Sequence, residues 1–207
     1  MKTKKILALA LAAVLLVAVS VAGTIAYLTA NTGAVTNTFV EAGVSLILKE
    51  HELKDDGKTV DTSKPVDGND DYKLVPGDVM EKDPYVTLGA DSLPCWVFVE
   101  IVDEAGIADK YLNWTVDPAW EKVTGYVAPN GGTLYARKTA FAPNETDYIL
   151  TGTTYKNGEI IVDQDALTTD KMEEAKTASL KFYAYACQST NVATYQAAAA
   201  VLFTAAN

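Results

Sequence analysis

The sequence is poor in the side chains that carry most protein chemistry. Its 207 residues include one histidine, His51, and two cysteines, Cys95 and Cys187. Two cysteines are too few for a disulfide scaffold, so the fold has to rest on a hydrophobic core. Basic residues are also scarce, with 17 Lys and Arg against 27 Asp and Glu and a formal net charge of −10. Such a surface repels nucleic acid and anionic lipid, so we expect neither to bind the mature protein.

The single histidine leaves little room for hydrolytic machinery. His51-Glu52 resembles the start of a zinc-protease helix motif, but Asp55 stands where the second histidine would be needed. No Gly-x-Ser-x-Gly nucleophile motif occurs either. We therefore interpret His51 as a solvated residue at the end of a strand. We predict no catalytic residue, no metal and no cofactor, and we expect that the protein is not an enzyme.

The two cysteines allow two interpretations. Cys95 and Cys187 each lie in a strongly apolar strand candidate, where a free cysteine behaves as a small buried hydrophobe. An oxidising environment would instead permit a disulfide, and closing so long a loop stabilises a fold by about 4 kcal/mol in the chain-entropy model. The sequence leaves both possibilities open.

The first residues have the three-part order of a secretory signal peptide. Three lysines fall within the first five residues, an apolar run covers residues 6–19, and small residues follow. The run is shorter than the roughly 20 residues of a membrane-spanning helix. Thr24 and Ala26 are the small pair that a signal peptidase reads, so we expect cleavage between Ala26 and Tyr27. The prediction is a signal peptide over residues 1–26 and a secreted protein on the cell surface or in the extracellular matrix.

Residues 27–41 read as an extended N-terminal segment. They are rich in Thr, Asn, Gly and Ala and contain the isolated hydrophobic residues Leu28, Val35 and Phe39. The segment has strand-compatible residues but too little apolar surface to fold alone. It would gain most by adding to the edge of an existing sheet. It is therefore a candidate donor strand, in which Leu28, Val35 and Phe39 enter pockets and set the register.

Residues 42–207 carry the signals of a β-rich domain. Val44, Leu46 and Leu48 alternate with Ser45, Ile47 and Lys49, which indicates a first core strand. Residues 51–71 are charged and form a long hairpin or an exposed excursion. Helical patterns occur at residues 169–174 and 191–203. Further strand candidates, separated by turn signals, cover residues 79–88, 95–102, 120–127, 133–138, 159–162 and 179–188. This pattern predicts an all-β fold, a jelly-roll-like antiparallel β-sandwich with short peripheral helices, including one at the C-terminus.

Acidic and aromatic clusters leave further alternatives open. Asp55-Asp56, residues 67–71 and residues 163–165 could hold calcium through carboxylate oxygens, or could be plainly solvated. None matches the twelve-residue calcium loop. Aromatic residues are abundant in the strand candidates and could form either the core or an exposed row that binds glycan or peptide.

Several short segments resemble one family of exported Gram-positive proteins. They are GTIAYLT at residues 23–29, VTNTF at 35–39, GVSL at 43–46, LVPGDVMEK at 74–82 and AYACQ at 184–188. In this order they are similar to the TasA and camelysin family, whose members are processed by a SipW-type signal peptidase and include biofilm-matrix proteins.

The resemblance implies a jelly-roll fold and assembly into fibres, in which the segment exposed by signal cleavage is donated to the next subunit. That segment corresponds here to residues 27–41. The expected function is a secreted structural protein, a subunit of cell-surface or biofilm-matrix fibres. Its expected partners are further copies of itself, other matrix proteins and, during export, the SipW-type peptidase, with membrane contact only through the uncleaved signal. The alternatives are an extracellular adhesin or glycan-binding module and a camelysin-like metalloprotease, and the missing zinc ligands count against the protease.

Overall fold

A computed structural model describes residues 29–32 and 43–206 of the chain. Within these ranges there are three short helices, α1 (Ala108–Tyr111), α2 (Met172–Ala175) and α3 (Tyr195–Leu202), with 3₁₀ turns at Glu104–Gly106 and Thr169–Lys171. The strands are β1 (Thr29–Thr32), β2 (Leu46–Leu53), β3 (Val60–Val66), β4 (Val79–Glu81), β5 (Tyr85–Leu88), β6 (Cys95–Asp103), β7 (Leu112–Val116), β8 (Trp120–Lys122), β9 (Tyr126–Val127), β10 (Thr133–Arg137), β11 (Thr146–Tyr148), β12 (Leu150–Thr151), β13 (Glu159–Val162), β14 (Leu180–Gln188) and β15 (Thr204–Ala205).

The strands form antiparallel sheets stacked in a sandwich-like arrangement. One sheet has five strands in the order β1-β14-β6-β10-β8. Two four-stranded sheets, β11-β5-β2-β3 and β12-β7-β13-β4, complete the framework, and β15 pairs with β9. The predicted all-β, sandwich-like fold with short peripheral helices is confirmed.

The longest strands, β6 and β14, are buried on both faces. Successive side chains of a strand point to opposite sides, so Val97 and Val99 face one layer while Phe98 and Glu100 face the other, and none of the four is exposed. The inner core lies between the five-stranded sheet and the second layer and includes Leu46, Val86 and Leu88. On the opposite face, α3 and the chain after it cover Phe98, Tyr185 and Cys187.

Helix α3 is built to cover this second face. The Thr194 hydroxyl caps its start by accepting a hydrogen bond from the Ala197 backbone N–H at 3.2 Å. Ala198 and Ala199 are fully buried, which lets the helix approach the sheet closely. Phe203, just after the helix, packs edge-on against the rings of Phe98 and Tyr185, with ring centroids 5.3 Å apart in both pairs.

Two of the predicted strands are broken in the structure. Residues 79–88 form β4 and β5, which pair with different neighbours: Met80 lies opposite Ile160 of β13, whereas Val86 lies opposite Leu48 of β2. The chain crosses between sheets at residues 82–84, where Pro84 lacks the N–H that a continuous ladder needs. Residues 120–127 likewise divide into β8, which pairs with β10, and β9, which pairs with β15.

Candidate functional site

The N-terminal strand lies on an edge of the five-stranded sheet. β1 pairs antiparallel with β14 over four residues, with Thr29 opposite Cys187 and Thr32 opposite Ala184. On its other side, β14 pairs with β6 over all nine residues, so the position of this edge is set by the rest of the sheet. The five residues predicted for cleavage and assembly, Ala26, Tyr27, Leu28, Val35 and Phe39, lie outside the described residues.

Beside this edge lies a cleft of about 1410 Å³. Its walls are the β2–β3 hairpin with residues 66–74 on one side, and α2 with residues 178–182 on the other. The cleft therefore adjoins the first half of β14, next to the part of the strand that β1 covers. Most small-molecule pockets measure about 300–1,000 Å³, so this cleft has room for more than a small ion or a single water.

A buried ion pair forms part of the cleft lining. The Lys82 ammonium lies 2.5 Å from Oε2 of Glu50, and both residues are more than nine-tenths buried. The ammonium also lies over two aromatic rings, 5.2 Å from the ring centroid of Tyr72 and 5.8 Å from that of Phe182. The ammonium therefore pairs with Oε2 of Glu50, and Oε1 is not part of the ion pair.

Two buried polar atoms of cleft residues have no hydrogen-bond partner among the described residues: Oε1 of Glu50 and the hydroxyl of Tyr72. Burial, together with the carboxylates of Glu50, Asp83 and Glu81, raises the pKa of Tyr72 well above its usual value. Asn69 lies near enough to lower that pKa, but no hydrogen bond of normal geometry joins it to the hydroxyl.

A third buried oxygen has a different status. Oδ2 of Asp78 also makes no hydrogen bond of normal geometry, but the Lys58 ammonium forms an ion pair with it. Of these three buried oxygens in the described part of the chain, Oε1 of Glu50 is therefore the one without a neighbouring polar partner, since the Tyr72 hydroxyl lies near Asn69 and Oδ2 of Asp78 near Lys58. Each such atom costs roughly 1–3 kcal/mol of stability, and folded proteins contain few of them.

The interpretation of His51 as a solvated residue is wrong. His51 lies within β2 and is 9% exposed. Its Nδ1 lies 2.6 Å from Oδ2 of the fully buried Asp83, and its backbone N–H donates to Oδ1 of the same carboxylate at 3.1 Å. The strand continues past His51 because β3 pairs with it across a register shift between His51 and Glu52. The crossover at residues 82–84 then places Asp83 against the imidazole.

The two cysteines are free and buried. Cys187 lies opposite Trp96, and Cys95 lies opposite Gln188, so the thiols project from opposite faces of the sheet. Cys95 belongs to the inner core and Cys187 to the layer under α3. Burial, with a smaller contribution from Cys187, raises the pKa of the Cys95 thiol to about 12, and burial also raises the pKa of Cys187. Both thiols are therefore unreactive hydrophobic residues in this fold.

In two of the acidic clusters, an aspartate accepts hydrogen bonds from the backbone of its own loop. The Asp56 carboxylate accepts hydrogen bonds from the Thr59 hydroxyl and from the backbone of Thr59 and Lys58, which together lower its pKa to about 2. Asp163 accepts from the backbone N–H groups of Asp165 and Ala166 in the same way. Over residues 29–32 and 43–206, no group of three or more His, Cys, Asp or Glu side chains is placed to hold a metal ion.

A second buried glutamate, which the sequence analysis did not single out, holds a turn on the far side of the sheet. Glu100 of β6 is fully buried. Its Oε1 accepts from the backbone N–H groups of Asn130 and Gly132, at 2.8 and 2.9 Å. Its Oε2 accepts from the Asn130 amide at 2.9 Å and from the Tyr185 hydroxyl at 2.7 Å. The carboxylate therefore joins the 129–132 turn to β14.

The comparisons with known proteins leave this geometry without a named counterpart. No family model, no curated protein and no solved structure matches the chain. Within the described residues, no helix has the length and apolar character needed to cross a membrane.

Proposed function

We propose that the chain is a secreted structural protein, a subunit of cell-surface or biofilm-matrix fibres that assemble when the N-terminal segment of one copy adds as a strand to the sheet of the next. The observation that carries the proposal is the position of β1. The four residues Thr29–Thr32 lie on the edge of β14 and are held there by an antiparallel backbone ladder. Backbone ladder bonds form equally well with a strand from the same chain or from a neighbouring copy.

The asymmetry between the two strands supports exchange. β14 is paired with β6 over nine residues and carries the fully buried Ala184 and Ala186, so it stays in place when β1 leaves. β1 contributes only four residues to the sheet. A strand donated by one copy to the next makes a head-to-tail contact, and such contacts extend into a fibre when the symmetry does not close. In this proposal Leu28, Val35 and Phe39 are the donated side chains that set the register.

The proposed role requires export and no catalysis. It includes processing between Ala26 and Tyr27 by a SipW-type peptidase, residence on the cell surface or in the matrix, and partners that are further copies of the chain and other matrix proteins. The burial of His51 against Asp83 supports a structural role for the single imidazole, since its Nδ1 is engaged inside the protein.

A single substitution tests strand exchange. Residues directly opposite each other in an antiparallel pair have Cα atoms about 4.5–5.5 Å apart, which is within the range of a disulfide. Thr29→Cys places a thiol opposite the native Cys187. After oxidation of the secreted protein, a strand donated between copies yields a ladder of covalent multimers on a non-reducing gel, and reductant collapses the ladder to monomer.

The matched control is Thr32→Cys, because its partner Ala184 carries no thiol and no ladder is expected. Cys95 does not compete in either variant, because it faces the side of the sheet opposite to Cys187 and its partner Gln188 lies four residues from Ala184 along β14. If oxidised Thr29→Cys protein contains only monomers with an internal disulfide while wild-type protein forms filaments, the filaments are not built through this edge. That result would overturn the proposal.

A further inference from the structure

We propose that the open half of β14 (Leu180–Tyr183), with the cleft beside it, receives residues 33–36 of a neighbouring copy of the chain and cannot be filled by the same residues of its own copy. The inference rests on the proposed strand exchange, and it adds where the donated strand lies and why a neighbour supplies it. β1 reaches only as far as Ala184. In the described part of the chain, the open half therefore pairs with β6 on one side and with no strand on the other.

The open half of β14 is able to bind a further strand. Successive residues of a strand direct their backbone groups to alternate sides, so two of these four residues present an N–H and a C=O to the side without a strand. Leu180 and Phe182 also line the cleft. Both pack against the inner core, Phe182 with 8% of its surface exposed and Leu180 half-buried. An added strand would gain backbone hydrogen bonds and cover the remaining apolar surface of these two side chains.

The N-terminal strand runs toward the open half. Thr29 lies opposite Cys187 and Thr32 lies opposite Ala184, so the chain leaves β1 in the direction of Leu180. If the same register continues, the next four residues lie opposite the open half, and the last of them, Thr36, lies opposite Leu180. Directly opposite residues of an antiparallel pair have their side chains on the same face of the sheet.

The sequence keeps one pattern through this continuation. The inward-facing residues of β1 are Ala30 and Thr32, which lie opposite two fully buried alanines of β14. Ala34 and Thr36 repeat the same pair of small residues at the same spacing, as the next inward-facing positions. No charged residue occurs between positions 27 and 40. A strand with this sequence can therefore lie against the apolar side chains of the open half without burying a charge.

The point at which the described chain resumes limits how far its own segment can follow β14. The carbonyl of Gly43 accepts a hydrogen bond from the N–H of Leu93 at 2.7 Å. The next residue, Pro94, accepts a hydrogen bond at 2.8 Å from the N–H of Ser189, which directly follows β14. Gly43 therefore lies near the C-terminal end of β14, whereas the open half is the N-terminal end of this strand.

This separation exceeds the length of the connecting chain. From Leu180 to Gln188, β14 measures roughly 26 Å at about 3.3 Å per residue. Thr36 opposite Leu180 leaves seven residue steps to Gly43, and reversing direction takes about two of them in a tight turn. The remaining five steps extend to at most about 18 Å. Only a neighbouring copy can therefore place residues 33–36 on the open half, and exchange adds these four residues to the four of β1 in the ladder.

The test is a disulfide between Thr36→Cys and Leu180→Cys in one secreted chain. After oxidation we expect multimers on a non-reducing gel that reductant collapses to monomer, with no internal disulfide in the monomer. The matched control combines Thr36→Cys with Lys181→Cys. It should give about tenfold less multimer, because adjacent residues of a strand face opposite sides of the sheet. Circular dichroism checks that both variants are folded.

Hydrogen exchange of the wild-type chain provides a measurement without substitutions. The two amide protons of residues 180–183 that point away from β6 should exchange readily in monomers and be protected in filaments. Mass spectrometry of a peptide that contains residues 180–183 measures the difference. Equal exchange in monomers and filaments would overturn the inference even if the double variants failed to fold.

Failure of this inference and failure of the proposed function give different results. Multimers of Thr29→Cys without multimers of the Thr36→Cys, Leu180→Cys variant would retain strand exchange and overturn the inference, because the donated strand would leave β14 after Thr32. An internal disulfide in monomers of the double variant would also overturn it, since the chain's own segment would then reach the open half. The absence of multimers from both variants would overturn both proposals.

Discussion

Glu100 and Glu50 are both buried glutamates on long strands, yet their surroundings differ. All four hydrogen bonds to Glu100 come from the protein itself, two from backbone N–H groups and two from side chains. Glu50 has one partner, the Lys82 ammonium, and its second oxygen has none among the described residues. Burying a carboxylate is costly unless it is paired and hydrogen-bonded, so the Glu100 arrangement is fully satisfied within the fold and the Glu50 arrangement is satisfied on one oxygen only.

The comparison distinguishes a buried carboxylate that is fully hydrogen-bonded from one that is paired on a single oxygen. The Glu100 turn belongs to a layer closed by α3, whereas the Glu50 pair lines an open cleft. Burial alone does not separate the two residues, because the exposed fraction is 0% for Glu100 and 5% for Glu50. The two residues differ in the number of carboxylate oxygens that have a partner, which is two for Glu100 and one for Glu50. Stability measurements can test whether this difference changes the free energy of unfolding.

The largest loss of stability is expected from removing the Glu100 carboxylate, whose two oxygens are both hydrogen-bonded. Glu100→Ala deletes four hydrogen bonds to a buried carboxylate and leaves the N–H groups of Asn130 and Gly132 without their acceptor. We expect the free energy of unfolding to fall by about 4 kcal/mol. Chemical denaturation monitored by circular dichroism measures it. Asp91→Ala, at an exposed acidic residue, should change stability by less than about 0.5 kcal/mol. A loss below about 1 kcal/mol for Glu100→Ala would mean that the turn is held by other contacts.

A smaller loss of stability is expected when the ion pair between Lys82 and Glu50 is broken. Lys82→Met leaves the Glu50 carboxylate buried without its counter-charge and should lower the free energy of unfolding by about 3 kcal/mol. Adding Glu50→Gln to this variant removes the isolated charge, so the double variant should recover part of the loss. The same denaturation curves provide the measurement. Equal stability of the single and double variants would show that Glu50 is not charged when Lys82 is absent.

The smallest effect should come from deleting one hydroxyl at each site. Tyr185→Phe loses the 2.7 Å bond to Glu100 and the 2.9 Å bond from Asn130, and should cost about 1–2 kcal/mol. Tyr72→Phe removes a hydroxyl that makes no hydrogen bond of normal geometry and should leave stability unchanged or raise it by up to about 1 kcal/mol. The two changes are chemically identical, so each controls for the other. Equal losses at both positions would remove the distinction between the sites.

Part of the site was visible in the sequence pattern. Leu46, Leu48 and Glu50 occupy alternating positions of one strand, so they face the same side of the sheet. A carboxylate at an inward-facing position is an unusual feature that the pattern alone could have indicated. Its partner could not be found in that way, because Lys82 follows a different strand, 32 residues later, at the crossover between two sheets.

The error at His51 has a related cause. Its position at the start of a charged stretch favours exposure, and local composition carries no information about Asp83, which reaches the imidazole from another part of the chain. Strand β7 was missed although its sequence, LNWTV, alternates between apolar and polar residues. It is only five residues long, and it is stabilised as a strand by pairing with β13 on one side and β12 on the other.

The class of the fold could be predicted from the amino-acid pattern, because alternating apolar residues and regularly spaced turn residues are local properties that favour short antiparallel strands. The composition also shows directly that the chain has one histidine and two cysteines, so few residues of these types could take part in catalysis. The pairing of the strands, the place of β1 on the β14 edge, the opposite orientation of the two thiols and the meeting of Glu50, Lys82 and Tyr72 at one cleft could not be predicted in this way. These are contacts between residues far apart along the chain, and their geometry is set by the packing of whole sheets, which no local pattern encodes.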